Sequence, residues 1–334
     1  MTQRCVAAVA IITIVGWLGT ARTASGQAAG ARTTKAIAGA MRTPWGDPDL
    51  QGTWTNWHQV PLERPAHLSD KETLTAEEVA ALEQQAAERE RAPERPPAPG
   101  DTGFYNSFWN ERNQRTNRTS LIVDPPNGRL PFNKEALQRQ AARQQARFPR
   151  PNATPPVNSW EDRDAYERCI TRGMPGAMIP AYYNHNYQIL QSPGYVVIHV
   201  EMIHDTRIIP VDGRPRLPDT IRQWMGEPRG RWEGNTLVVE TTNFNGKVKD
   251  RNTFAFGTGE NGRVVERFTR VDANTISYEM RVDDSFAFTN PWVASMPMTR
   301  IPGHIFEYAC HEGNYGMYNI LSGARAQEGE GLKR

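Results

Sequence analysis

Apolar and polar positions alternate with a period of two along much of the C-terminal half of the chain. Over 194–202, Val196, Ile198, Val200 and Met202 share one face, and Tyr195, Val197, His199 and Glu201 share the other. Over 275–282, Ile276, Tyr278, Met280 and Val282 oppose Ser277, Glu279 and Arg281. That period belongs to strands whose two faces meet unlike surroundings. Similar patterns predict strands at 187–191, 206–211, 229–233, 236–242, 263–271, 293–299 and 304–309. Gly234-Asn235 and Asp272-Ala273-Asn274 supply tight turns, so consecutive strands pair as antiparallel hairpins. Such a β-meander closes most simply as an antiparallel up-and-down barrel, with a two-sheet sandwich as the alternative. The fold class is therefore mainly β.

The N-terminal half reads differently. A strand starts at Gly52-Thr53-Trp54-Thr55 after a Pro-Asp turn. Thr75 and Glu78 form a capping box for a helix over 76–91, which Pro93 stops. Residues 93–99 are a stiff proline-rich linker. Residues 102–118 are aromatic and irregular, and 119–123 make a short strand stopped by Asp124-Pro125-Pro126. A second helix over 137–147 ends before Pro149, and 149–160 are again proline-rich. The chain then divides into 43–60 around the first strand, a helical and irregular insertion over 61–185, and the β-meander over 186–325. A tail at 326–334 is expected to be flexible.

The first residues change the setting. Arg4 precedes an apolar stretch over 6–18, followed by small and polar residues to Ala28. This is the pattern of a secretory signal peptide over 1–28, with a flexible segment at 29–42. The stretch is shorter than the roughly 20 residues a bilayer span needs, so no stable membrane insertion is expected after cleavage. The mature chain is expected to be periplasmic or secreted. Its two remaining cysteines, Cys169 and Cys310, most simply pair in an oxidising compartment. Lys and Arg number 39 against 37 Asp and Glu, and the small surplus lies in the signal segment. A neutral body argues against a nucleic-acid partner. Nothing in the sequence fixes the oligomeric state.

Two resemblances follow from longer strings. Gly52-Thr53-Trp54 resembles the G-x-W start of lipocalin-like, or calycin, barrels. The resemblance implies a Trp packed across the closed end of a barrel, with an arginine of the last strand, here Arg300, as its partner. The strings EMIHDTRIIPVDGRPR, RGRWEGNTLVVETTNF, ERFTRVDANTISYEM and YACHEGNYG resemble a family of exported bacterial proteins without an assigned activity. That resemblance implies export and a shared architecture, and carries no catalytic residue.

Chemistry concentrates at His199, Glu201, His204, Asp205 and Arg207. An imidazole next to a carboxylate is the usual pairing for acid/base work near neutral pH, so His204 and Asp205 are the first candidates. Glu201 is a complementary acid and Arg207 an anion clamp. The bland reading of the same residues is a hairpin-end ion pair with His204 capping a turn. H-x-E-x-x-H could instead supply three metal ligands, His199, Glu201 and His204. The odd spacing splits the histidines between strand faces, so a metal-free site is preferred and no cofactor is predicted. His311, Glu312 and Tyr315 follow Cys310 on a glycine-bearing loop and form a candidate opposite wall, or a structural strap. Trp54, Trp224 and Trp232 are candidates to stack on a ligand, the alternative being core packing. Asn184 and Asn186, in the polar aromatic run 182–187, could reach it too. Trp109 belongs to the same set of tryptophans. No Walker loop, Rossmann fingerprint, GxSxG or CxxCH is present.

The residues thus read as an exported small-molecule-binding barrel acting as a cofactor-free acid/base enzyme. Its class would be lyase, isomerase or hydrolase, and its substrate aromatic, terpenoid or sugar-like. The alternatives are a non-catalytic carrier or sensor of a hydrophobic ligand, and a structural or partner-binding envelope domain.

Overall fold

The computed structural model describes residues 41–57, 59–91, 115–147, 157–180, 183–248, 250–251 and 256–331. The signal segment, the 93–99 linker and Trp109 lie outside them. Three helices and thirteen strands are present among the described residues. Helix α1 (Ala76–Arg91) begins at the expected capping box, with the Glu78 carboxylate accepting from Thr75 N–H and the Thr75 hydroxyl accepting from Glu78 N–H. Helix α2 (Lys134–Arg147) is capped by Asn133, whose Oδ1 accepts from Ala136 N–H.

The barrel strands are β1 (Gly52–Thr55), β3 (Asn186–Ser192), β4 (Tyr195–Val200), β5 (Thr206–Pro210), β6 (Glu227–Glu233), β7 (Thr236–Thr242), β10 (Arg263–Arg270), β11 (Thr275–Asp283) and β13 (Met298–Arg300). They run β5-β4-β3-β1-β13-β11-β10-β7-β6 with every neighbouring pair antiparallel, a nearly closed nine-stranded barrel. The two end strands pack through Gly230 of β6, where a Cβ would come within 2.9 Å of Ile209 Cγ2 on β5. Two strands extend the sheet sideways: β2 (Ile122–Asp124) pairs with β12 (Trp292–Ser295), which pairs with β11. A small separate sheet joins β8 (Asp250–Arg251) and β9 (Phe256–Gly257). No helix among the described residues is long and apolar enough to cross a membrane.

Three expectations need correction. The single strand at 293–299 is two, β12 and β13, because Pro297 has no N–H to give the ladder and the chain shifts along β11 there. Residues 304–309 are not a strand; they form part of an irregular strap. The tail is helical: α3 (Tyr315–Gly331) covers the end of the meander and most of 326–334, capped by Asn314 Oδ1 accepting from Met317 N–H.

The alternation places side chains as read. Ile198, Val200, Ile276, Tyr278, Met280 and Val282 are fully buried, and Glu279 and Arg281 face solvent. The interior is filled, and it contains charge. Arg207 of β5 meets Glu266 of β10 with both terminal guanidinium nitrogens; Nη1 donates to Oε1 at 2.9 Å. Tyr278 Oη donates to the same Glu266 Oε1 at 2.9 Å. Leaving either partner of such a pair alone costs on the order of 3–5 kcal/mol, so the pair fixes how these strands face one another. At one barrel end, Trp54 is fully buried beneath the guanidinium groups of Arg270 and Arg300, 4.7 and 5.6 Å from its ring centre.

Candidate functional site

The opposite end of the barrel is closed by an irregular segment. Residues 171–179 are buried without a break although they form no strand and only one turn of 3-10 helix, Gly176–Met178. Two glycines make this insertion possible. Gly173 has φ +72°, and a Cβ on Gly176 would lie 2.8 Å from the Phe256 carbonyl oxygen. Backbone buried in this way must find partners, and barrel side chains provide them. Asn56, just after β1, donates from Nδ2 to the Met178 carbonyl at 2.7 Å. Tyr187 donates from Oη to the Ala177 carbonyl and lies 3.2 Å from Asn56 Oδ1.

Polar groups of the plug meet the starts of β3 and β5. Arg172 donates from Nη1 to the Ile179 carbonyl at 3.3 Å and to His185 Nε2 at 2.9 Å. Because Nε2 accepts, the His185 proton sits on Nδ1. His185 is fully buried, and its Nδ1 has no hydrogen-bond partner among the described residues. Burial first and the Arg172 charge second push its pKa well below the usual imidazole range, so the ring stays neutral. Burial lowers the pKa of Arg172, while the phenols Tyr187, Tyr166, Tyr308 and Tyr183 act on it in the other direction. Tyr166 lies 3.3 Å from Tyr308, oxygen to oxygen, and burial raises its pKa above the usual phenol value.

Asp205 stands beside the same plug. Its Oδ2 accepts from the Thr171 hydroxyl at 2.8 Å, and its carboxylate accepts from the Arg172 backbone N–H. Burial outweighs these bonds and raises its pKa to about 6. Asp205 therefore exchanges its proton close to neutral pH.

A strap over 301–314 crosses the plugged end and is tied to it repeatedly. Phe306 N–H donates to Glu201 Oε1 at 2.9 Å, and His204 Nδ1 donates to the Tyr308 carbonyl at 2.9 Å. Cys310 is bonded to Cys169, as expected, and Asn314 Nδ2 donates to the Glu167 carbonyl at 3.1 Å.

The residues singled out in the sequence fall into two groups. Glu201, His204, Asp205 and Asn186 gather at this end, and the His311 ring lies 6.1 Å from that of His204. Glu201 is buried and accepts from Asn186 Nδ2 at 2.6 Å as well as from Phe306 N–H, so it anchors the strap. His204 is exposed and turned to Tyr308, while Asp205 is bonded to Thr171; the two are sequence neighbours and not a hydrogen-bonded dyad. Arg207 is not an anion clamp at a mouth, because its charge is matched by Glu266 in the core. Trp54 and Trp232 do not join the site. Trp54 closes the other end, and Trp232 sits near the 234–235 turn at that same end. Trp224 lies beside the plug, packed with Ile170 and Val248. Asn184 adopts a left-handed turn at φ +54° before β3. Glu312 and Tyr315 are exposed on the strap and at the start of α3. For the metal alternative, His199 Nδ1 pairs with Thr206 Oγ1 at 2.7 Å, and no group of three ligands converges among the described residues.

Sequence reasoning missed Arg172, His185, Thr171 and the phenols around them. His185 lay inside the polar aromatic run 182–187, a usable signal. Arg172 had none, because the plug follows no period. Comparisons with protein families and with curated proteins find no match for the chain.

Proposed function

We propose that this chain is an exported small-molecule-binding β-barrel whose plugged end performs cofactor-free proton transfer. The chemistry is of the lyase, isomerase or hydrolase type, and the substrate is aromatic, terpenoid or sugar-like. The observation that carries this reading is Asp205. It is a mostly buried carboxyl, fixed by Thr171 and the Arg172 N–H, that titrates near 6. A group poised there is populated in both protonation states near neutral pH, which is what a general acid or base must offer. His204 stands exposed next to it, with its Nδ1 on the Tyr308 carbonyl. Glu201 and the Cys169–Cys310 bond hold the strap that covers the end.

The carrier alternative needs a ligand inside the barrel. Arg207 and Glu266 meet across that interior, and the apolar side chains around them are fully buried. We place the ligand at the plugged end under either reading, because the polar groups of Thr171, Arg172, His185 and Asp205 gather there.

The test is a screen of small organic compounds against the exported protein in deuterated buffer, read by mass spectrometry for deuterium incorporation or product. Asp205→Asn is expected to lower the turnover found by about 10²- to 10⁴-fold, the usual weight of a positioned acid or base. Undiminished turnover in a folded Asp205→Asn variant would remove Asp205 from the mechanism.

A further inference from the structure

A buried donor without an acceptor is rare in a folded chain, and it asks for an explanation. His185 is such a case: it is fully buried, and its Nδ1 meets no acceptor among the described residues. Its tautomer is set from behind. Arg172 donates to Nε2 at 2.9 Å, which leaves the hydrogen on Nδ1 and adds a positive charge on the far side of the ring. That charge polarises Nδ1–H and favours a negatively charged acceptor over a neutral one. Two more buried polar groups, Thr258 Oγ1 and Trp292 Nε1, have no partner among the described residues. Phe256 links Trp292 to the plug: its ring stacks on Trp292, and its backbone packs against Gly176. Two of these three groups, the imidazole N–H and the indole N–H, can only donate.

From this arrangement we infer that His185 Nδ1–H binds one oxygen of a small organic carboxylate, seated at the plug among the phenols that surround Arg172. The ring works as a fixed neutral donor and takes no part as a base, since its second nitrogen is held by Arg172. The inference rests on the reading of the plugged end as the binding site, and it names the class of ligand that end selects. It does not require Asp205 to be catalytic. Arg172 links the two groups, with its side chain on His185 and its backbone N–H on Asp205.

The experiment uses the whole mature chain with the disulfide intact and its histidines labelled with ¹⁵N. Imidazole resonances are followed across the neutral pH range and then titrated with benzoate, with benzyl alcohol as the control that lacks a carboxylate. The expected result is a neutral Nδ1–H tautomer for His185 that does not titrate. Its resonance should move saturably with benzoate and stay unmoved with benzyl alcohol. His185→Phe is expected to weaken benzoate binding about tenfold or more. The inference is overturned if the wild-type ring carries its proton on Nε2, or titrates as an ordinary histidine. It is equally overturned if benzoate leaves the resonance in place, or moves it no more than benzyl alcohol does. The wild-type measurement decides even where the variant fails to fold. Loss of turnover in Asp205→Asn with benzoate binding intact would separate the acid/base reading from this one.

Discussion

Asp205, mostly buried, and His185, fully buried, both stand beside Arg172, and their linkage to stability has opposite signs. A buried imidazole that stays neutral loses stability as pH falls through the range where the unfolded chain takes up a proton. A carboxyl with a raised pKa behaves the other way: its contribution is fully present below the unfolded value near 4 and is lost as pH rises through about 6. Comparing wild type with Asp205→Asn cancels the His185 effect. The difference in unfolding free energy is expected to be small near pH 4. It should move in favour of Asp205→Asn between pH 4 and pH 7 by on the order of 1–3 kcal/mol. Urea unfolding at several pH values measures it, and a pH-independent difference would contradict the raised pKa. The residue scale is also where the sequence was least readable. That His204 and Asp205 were chemically interesting could be read from their spacing. That Asp205 turns to Thr171 rather than to His204 depends on a plug 34 residues away in sequence.

At the scale of elements, legibility followed periodicity. The hairpins of the meander and helix α1 could be placed because alternation and a capping box are local signals. The break at Pro297 is local too, but the proline's meaning depends on β11 accepting two short partners in place of one. Helix α3 was hidden by Gly316, Gly323 and Gly329, which weaken helix propensity, although Asn314 is a good N-cap. The 171–179 plug has no period at all; it is irregular backbone made buriable by Asn56, Tyr187 and two glycines. It should therefore be sensitive to small added volume. Gly176→Ala sets a Cβ 2.8 Å from a backbone oxygen that cannot rotate away. The expected cost is about 1–3 kcal/mol in urea unfolding, with the His185 resonances displaced. An alanine variant of wild-type stability would show that the plug is not packed as described.

Over the whole molecule, the barrel's two ends are treated differently. One is closed by Trp54 under two arginines. The other is closed by chain segments held by a bond that spans 141 residues. The sequence indicated the barrel and the Cys169–Cys310 pair, but not that the pair fastens a strap to a plug. A loop of that length gives on the order of 4–5 kcal/mol by the chain-entropy account. Reduction is thus expected to lower the unfolding midpoint in urea while the far-ultraviolet circular dichroism of the barrel persists in its absence. Unchanged stability after reduction would mean that the hydrogen bonds of Glu201, His204 and Asn314 hold the strap unaided.

The covered end holds a carboxyl group, Asp205, ready to exchange a proton near neutral pH. The most direct measurement needs no substrate: a pH titration of the Asp205 side-chain carbonyl by ¹³C NMR, assigned by its disappearance in Asp205→Asn. A midpoint near 6 is the result expected. A midpoint near 4, the value of an ordinary exposed aspartate, would show that Asp205 is not poised for exchange near neutral pH.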